Sequence, residues 1–210
     1  MKVGGLSNRF RSISRYREII GVLLKYGFEE LFYRLRINEF PLLLRNRFKK
    51  EKRVDIASKS LEERVRLAIE ELGPTFIKLG QMLSTRPDFV PIGLIKELQK
   101  LQDEIPPFSG EQAVRTVEAE LGRSLNEAFV SFETEPIAAA SLAQVHRAKT
   151  KEGREVVVKV QRPGVQRKIE LDMRILFDLA PVVKRQLGDQ QPVDPESIVH
   201  EFNRWIHQEL

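Results

Sequence analysis

Lys159 is the only cation in Val156-Val157-Val158-Lys159-Val160-Gln161, a run that reads as a β-strand. A lysine fixed on a strand can meet phosphate oxygens as a point charge. Upstream lies Ala138-Ala139-Ala140-Ser141. Small residues of this kind let backbone N–H groups approach a phosphate closely. Alanine keeps those donors but adds a Cβ, so the loop is stiffer than a glycine-rich one. Each feature also has a plainer reading: a lysine snorkelling from an edge strand, and a tight turn against a helix.

A second set of residues lies on helices. Lys78 and Gln81, at i and i+3, fall on one side of a predicted helix, opposite Phe76, Leu79 and Leu83. On pattern alone they face water. Glu209 falls on the apolar stripe of Ile198, Phe202, Trp205 and Ile206, where an acid requires a partner; its plainer reading is a surface acid. His200 and His207 share a helical face, but no further ligands accompany them, so they read as surface histidines and no metal site is assigned. Glu170 and Asp172 read as solvated helix residues, and Arg86 with Asp88 as a local ion pair.

Helices and strands must position these groups. Residues 10–36 predict one amphipathic helix, with Ile19, Ile20, Val22, Leu23 and Leu24 on its apolar face and Arg11, Arg15, Arg17 and Lys25 among its charges. That helix either packs on the body or lies in a membrane interface. Residues 44–60 read as a polar linker. Leu61, Val65, Ala68, Ile69 and Leu72 mark a helix that Gly73-Pro74 stops. A helix over 75–83 follows, then a loop over 84–88, and Leu94, Ile95, Leu98 and Leu101 mark another helix. Ser109 caps a helix that ends at Gly122, and Ser124 with Glu127 caps a shorter one. The period then changes to strands: 129–137, a turn at 138–141, 142–147, a hairpin turn at 151–153, and 154–161. Helices are expected over 166–180 and from Asp194 onward, and the last of them reads as cut short.

With 210 residues, 41% of them hydrophobic and 31% charged, the chain is long and apolar enough for a core. The absence of cysteine excludes disulfides and thiolate metal sites. No signal peptide and no apolar run of about 20 residues is visible. Residues 1–53 hold 14 Lys/Arg and 5 Glu, a net charge of +9 against +5 for the whole chain, so a basic leader precedes an acidic body. Its natural partners are anionic lipid, nucleic acid or an acidic protein surface. No nucleic-acid recognition module is apparent, so nucleic acid is set aside.

Several ordered stretches then point to one family. Lys78-Leu79-Gly80-Gln81 resembles a KxGQ motif, extended by Met82-Leu83-Ser84-Thr85-Arg86-Pro87-Asp88. Pro136 to His146 resembles an alanine-rich loop with its following strand, and Val158 to Val165 a lysine strand. Together these resemble the UbiB/AarF/ADCK family of atypical kinase-like proteins. The resemblance implies an α+β fold: a protein-kinase-like N-lobe of antiparallel strands plus helices, an added N-terminal helical KxGQ segment, and no C-lobe within this chain. It divides the chain into a basic leader (1–53), a helical KxGQ segment (54–128) and a partial N-lobe (129–210). It implies ATP or ADP as cofactor, held by Lys159 with Ala138, Ala139, Ala140 and Ser141, and Mg²⁺ whose ligands lie outside the chain. Lys78, Gln81 and Glu209 become catalytic-site residues, with Glu209 opening an ExD motif and meeting Lys78. It further implies a cytoplasmic, membrane-peripheral kinase or ATPase of ubiquinone biosynthesis, with isoprenoid lipid or quinone-biosynthesis proteins as partners. The chain reads as truncated and inactive alone; the alternative is a non-catalytic membrane-peripheral scaffold.

Overall fold

The computed structural model describes residues 4–30, 58–101, 106–187 and 194–210, with backbone only at 4–12 and 186–187. It is α+β, as expected, and divides into two compact units. The first comprises residues up to 101 together with 168–209; the second comprises 102–167 with Leu210.

The first unit is helical. Helix α1 spans Gly4–Lys25. It does not run on to residue 36 as expected; Gly27 adopts φ 78° and ends it. Gly27 N–H donates to Leu24 O at 3.1 Å and Phe28 N–H to Leu23 O at 3.0 Å, which satisfies the last free carbonyls. Residues 31–36 lie outside the described residues, as does most of the expected 44–60 linker. Helix α2, Leu61–Leu72, starts on the Ser60 hydroxyl, which accepts from Glu63 N–H. Gly73 at φ 92° turns the chain, and Pro74 opens helix α3, Pro74–Ser84. Helix α4 spans Ile92–Leu98.

The core of this unit joins Ile19, Val22 and Tyr26 of α1 to Ala68 and Leu72 of α2 and Phe76 of α3. Ile175 completes it from helix α7, Val165–Leu187, which starts in the second unit and passes Pro181, where its end was expected. Of the two readings of the first helix, packing on the body therefore holds for its described apolar face. Burial, then the Glu71 carboxylate, pushes the Tyr26 hydroxyl up to about 12. Inside this unit Arg15 Nε donates to Asp172 Oδ1 at 2.6 Å, and Arg15 Nη2 to Leu72 O at 2.7 Å. Asp172 is fully buried, not solvated as its sequence setting implied. Helix α8, Pro195–Glu209, closes the unit.

The second unit carries the sheet. Helices α5 (Gly110–Leu121) and α6 (Leu125–Ala128) precede β1 (Phe129–Phe132), β2 (Ala138–Ala139), β3 (Ala143–Thr150) and β4 (Glu155–Gln161). Ser109 caps α5 through Gln112 N–H. All pairings are antiparallel, with β3 central. One edge of β3 pairs with β4 and the other, in succession, with β2 and β1. Thus the strand expected over 129–137 is broken, and its second piece extends into the alanines. Val158 and Val160 turn to α5, where Ala113 and Val117 cover them with Phe108, Leu125, Phe129 and Phe132. The opposite face exposes Val157 and Lys159, while Gln161 on the same face donates to Leu210 O.

Candidate functional site: a lysine strand and a lysine–glutamate pair

Lys159 lies on that face. Strand alternation sends Val156, Val158 and Val160 inward and leaves Val157 and Lys159 exposed. Val145 pairs with Lys159 on one side and with Ala138 on the other. Residues directly opposite in antiparallel strands share a face. Ala138, Val145 and Lys159 therefore form one row, in which the two residues next to the lysine are small and apolar. An anion held by Lys159 meets little steric bulk along this row.

The expected turn at 138–141 is shifted. Ala138 and Ala139 are β2, because Ile137 N–H donates to Val145 O at 2.8 Å and the ladder continues into the alanines. Alanine offers no side-chain hydrogen bond to compete with that ladder. The turn proper is Ala140-Ser141-Leu142-Ala143, closed by Ala140 N–H to Ala143 O at 2.8 Å, with Ser141 fully buried.

Three residues that the sequence reading did not single out support this hairpin. Gln144 and His146 are fully buried on β3. His146 Nδ1 contacts Glu133 O at 2.8 Å, and a carbonyl only accepts, so Nδ1 carries the proton. Nε2 is then the acceptor for the Gln144 amide at 2.8 Å. Gln144 also accepts from Phe108 N–H at 3.1 Å and donates to Phe108 O at 3.3 Å. The amide and the imidazole are thereby paired on every side, which fixes β3 against the segment entering α5. Arg162 Nη2 donates to Ala140 O at 3.3 Å and to Pro106 O at 3.1 Å. Burial lowers the Arg162 pKa. The available signal was the alternation Gln144-Val145-His146, which puts two polar groups on the inward face of a strand.

In the first unit, Lys78 is only 7% exposed and does not face water. Helix α3 is covered on several sides, with Thr75, Phe76, Ile77, Gly80 and Met82 also buried. The reason is visible at Gly80, where a Cβ would stand 2.4 Å from Leu101 Cδ1 and 3.4 Å from both Ile69 and Leu98. The KxGQ glycine permits this close helix approach. Gln81 turns aside and donates to Leu101 O at 3.5 Å. Lys78 Nζ instead reaches Glu209 Oε2 at 3.4 Å and lies 6.0 Å from the centre of the Trp205 ring. Glu209 remains partly exposed, with Phe202 and Ile206 buried below it on α8. The stripe differs from the expected one in using Val199 in place of Ile198. His200 and His207 are exposed, His200 against Phe177 and His207 bonded to Asn203 O.

Comparisons with known proteins identify the family. The profile of the "ABC1 atypical kinase-like domain" matches residues 100–210. "Probable protein kinase UbiB" of Vibrio atlanticus is 41% identical over 201 residues, which is 94% of this chain and 36% of that protein. Its counterpart in Pseudomonas fluorescens is 40% identical over 203 residues, 95% of this chain and 38% of that one. A solved complex of Rv3197 with erythromycin from Mycobacterium tuberculosis aligns over 68% of this chain and 36% of that one, at 31% identity and a TM-score of 0.43. The chain thus spans little more than a third of the length of the curated relatives it matches. With a family profile over more than half of its length and relatives of this identity along nearly all of it, the chain belongs to the ABC1 family of atypical kinase-like proteins, the family of UbiB.

Proposed function

We propose that this chain provides the nucleotide-binding part of a UbiB-type atypical kinase or ATPase. The observation that carries the reading is the row Ala138–Val145–Lys159 on the sheet face away from α5. Phosphoryl transfer depends on positioning and charge stabilisation, and a strand lysine beside small residues supplies both for ATP or ADP phosphates. Ala138, Ala139, Ala140 and Ser141 take the place of a glycine-rich loop, held by Arg162. Lys78, Gln81 and Glu209 control turnover, with the Lys78–Glu209 pair holding α8 to α3. Among the described residues no group of three acidic or imidazole side chains could hold a metal ion, so no step is derived through Mg²⁺.

The wider role proposed is the one the family resemblance implies: support of ubiquinone or related isoprenoid-lipid metabolism, on the cytoplasmic side of a membrane. Its partners would be isoprenoid lipid or quinone-biosynthesis proteins. No described helix is long and apolar enough to cross a bilayer. Anionic membrane contact rests on the +9 charge of residues 1–53, the leader of the three-part division into 1–53, 54–128 and 129–210.

Calorimetric titration of this chain with ADP and with ATP tests the reading. Lys159→Ala is expected to weaken binding at least about tenfold, one lost charge-assisted contact being worth roughly 1.5–3 kcal/mol. Its circular dichroism should be unchanged. Equal binding by both proteins would falsify the nucleotide site.

A further inference from the structure

Helix α8 meets α3 and the loop that follows it through two charged contacts. One is Lys78–Glu209. The other joins Arg86 Nη1 to Glu201 Oε1. Arg86 lies eight residues after Lys78, and Glu201 lies eight residues before Glu209. Equal spacing in opposite directions makes these two rungs of one antiparallel pairing, about 12 Å apart along α8 at 1.5 Å per residue.

Arg86 is built to stay in place. Its Nε lies 3.1 Å from Asp88 Oδ1 and its Nη2 2.9 Å from Asp88 Oδ2, a two-pronged contact. Its guanidinium carbon lies 3.9 Å from the centre of the Phe89 ring. Only Nη1 is directed at α8. The charge therefore cannot follow Glu201 if α8 moves. The apolar contacts of α8, through the fully buried Phe202 and Ile206, lie one helical turn apart, so packing favours discrete registers and the charged rungs decide between them. A slide of one turn is about 5.4 Å, enough to break either rung.

We propose that Arg86 and Glu201 form a register lock, which sets where α8 lies along α3 and so brings Glu209 to Lys78. Arg86 is a positioning residue. The pair is partly exposed, with side chains 29% and 38% accessible, so it adds little to global stability. Its effect is on alignment. The inference rests on the reading of Lys78–Glu209 as a functional pair, and it assigns that pair's alignment to two residues touching neither member.

Trp205 is the chain's only tryptophan and lies beside Lys78, so its emission reports the register directly, with no nucleotide present. Lys78→Met should change that emission by removing the ammonium from the ring. In an Arg86→Ala background the same Lys78→Met change should produce less than about half the response, because the ammonium has already left Trp205. Arg86→Lys keeps a charge opposite Glu201 but loses the two-pronged Asp88 contact and the Phe89 contact, so it should restore little of it. Glu201→Gln provides the same comparison if Arg86→Ala alters circular dichroism. Additive responses in the Arg86 and Glu201 backgrounds, or no response to Lys78→Met in the parent chain, overturn the lock. Because no nucleotide is used, a lock that holds while Lys159→Ala leaves ADP binding intact would remove only the nucleotide reading.

Discussion

Arg15 and Asp172 carry an ion pair into the interior of the first unit, where neither charge can be hydrated. Burial opposes the Arg15 charge, but Asp172 and then Glu18 outweigh it, and its pKa ends above the ordinary value. Nearby, burial and then the Arg15 charge lower the pKa of Lys168. A buried pair of this kind contributes little net stability against an apolar replacement, but losing Asp172 leaves the buried Arg15 only the half-exposed Glu18 as a counter-charge. Asp172→Ala should therefore lose roughly 3–5 kcal/mol in urea denaturation, whereas the double change Arg15→Met, Asp172→Leu should recover most of it. If the single and double variants are equally unstable, the pair is not the source of the loss. Gly80 poses the opposite problem, one of space. Gly80→Ala gains helix propensity, but the new Cβ would lie 2.4 Å from Leu101 Cδ1. Overpacking should prevail, lowering stability by about 1–3 kcal/mol; an unchanged urea midpoint would show that Leu101 can move aside.

At the scale of elements, caps and turns decide how much a sequence reveals. The α2 start, the Gly73-Pro74 junction and the α5 cap follow from residues with one strong local preference, and all were legible. Gly27 was equally legible, with Lys25 in the last turn and Phe28 behind it, but a continuous apolar stripe masks it. Lys78 was not legible as buried, because helical periodicity assigns a polar side without knowing that α8 covers it. The alanines became a strand for a similar reason: pairing with β3 decided their conformation. Asp194 shows a cap with a measurable signature. The Ser197 hydroxyl first, and then Lys184, hold its carboxyl down to about 2. A depressed carboxyl pKa means stability that is present above the unfolded value near 3.9 and is lost as pH falls through about 2. Amide exchange at Ser197 should thus accelerate between roughly pH 4 and pH 2. Asp194→Asn keeps a good cap without a titrating group, so its exchange should show no such added rise. The same rise in both proteins would place the titration elsewhere.

For the whole molecule, the uneven charge bears on the proposed membrane contact. Residues 1–53 carry +9 and the remainder −4. A basic amphipathic segment ordinarily adds apolar burial to charge attraction. Here Ile19, Val22 and Tyr26 already lie in a protein core, so most of the apolar face in the described part of that segment is already used. What remains is mainly attraction of basic residues to anionic headgroups, about 1 kcal/mol for each one near the surface. Such attraction is screened within about 10 Å at 0.1 M salt and about 3 Å at 1 M. The chain should therefore sediment with phosphatidylserine-containing vesicles at low salt and be released at about 1 M, and it should ignore neutral vesicles at both. Retention at high salt would mean that apolar surface enters the bilayer. In that case Ile19 and Val22 must leave the core, and Arg15 must leave Asp172 buried without its partner. By the argument made for Asp172→Ala, that release would destabilise the first unit, so membrane-bound protein should then unfold at lower urea than free protein. Release with unchanged urea stability is the expected result.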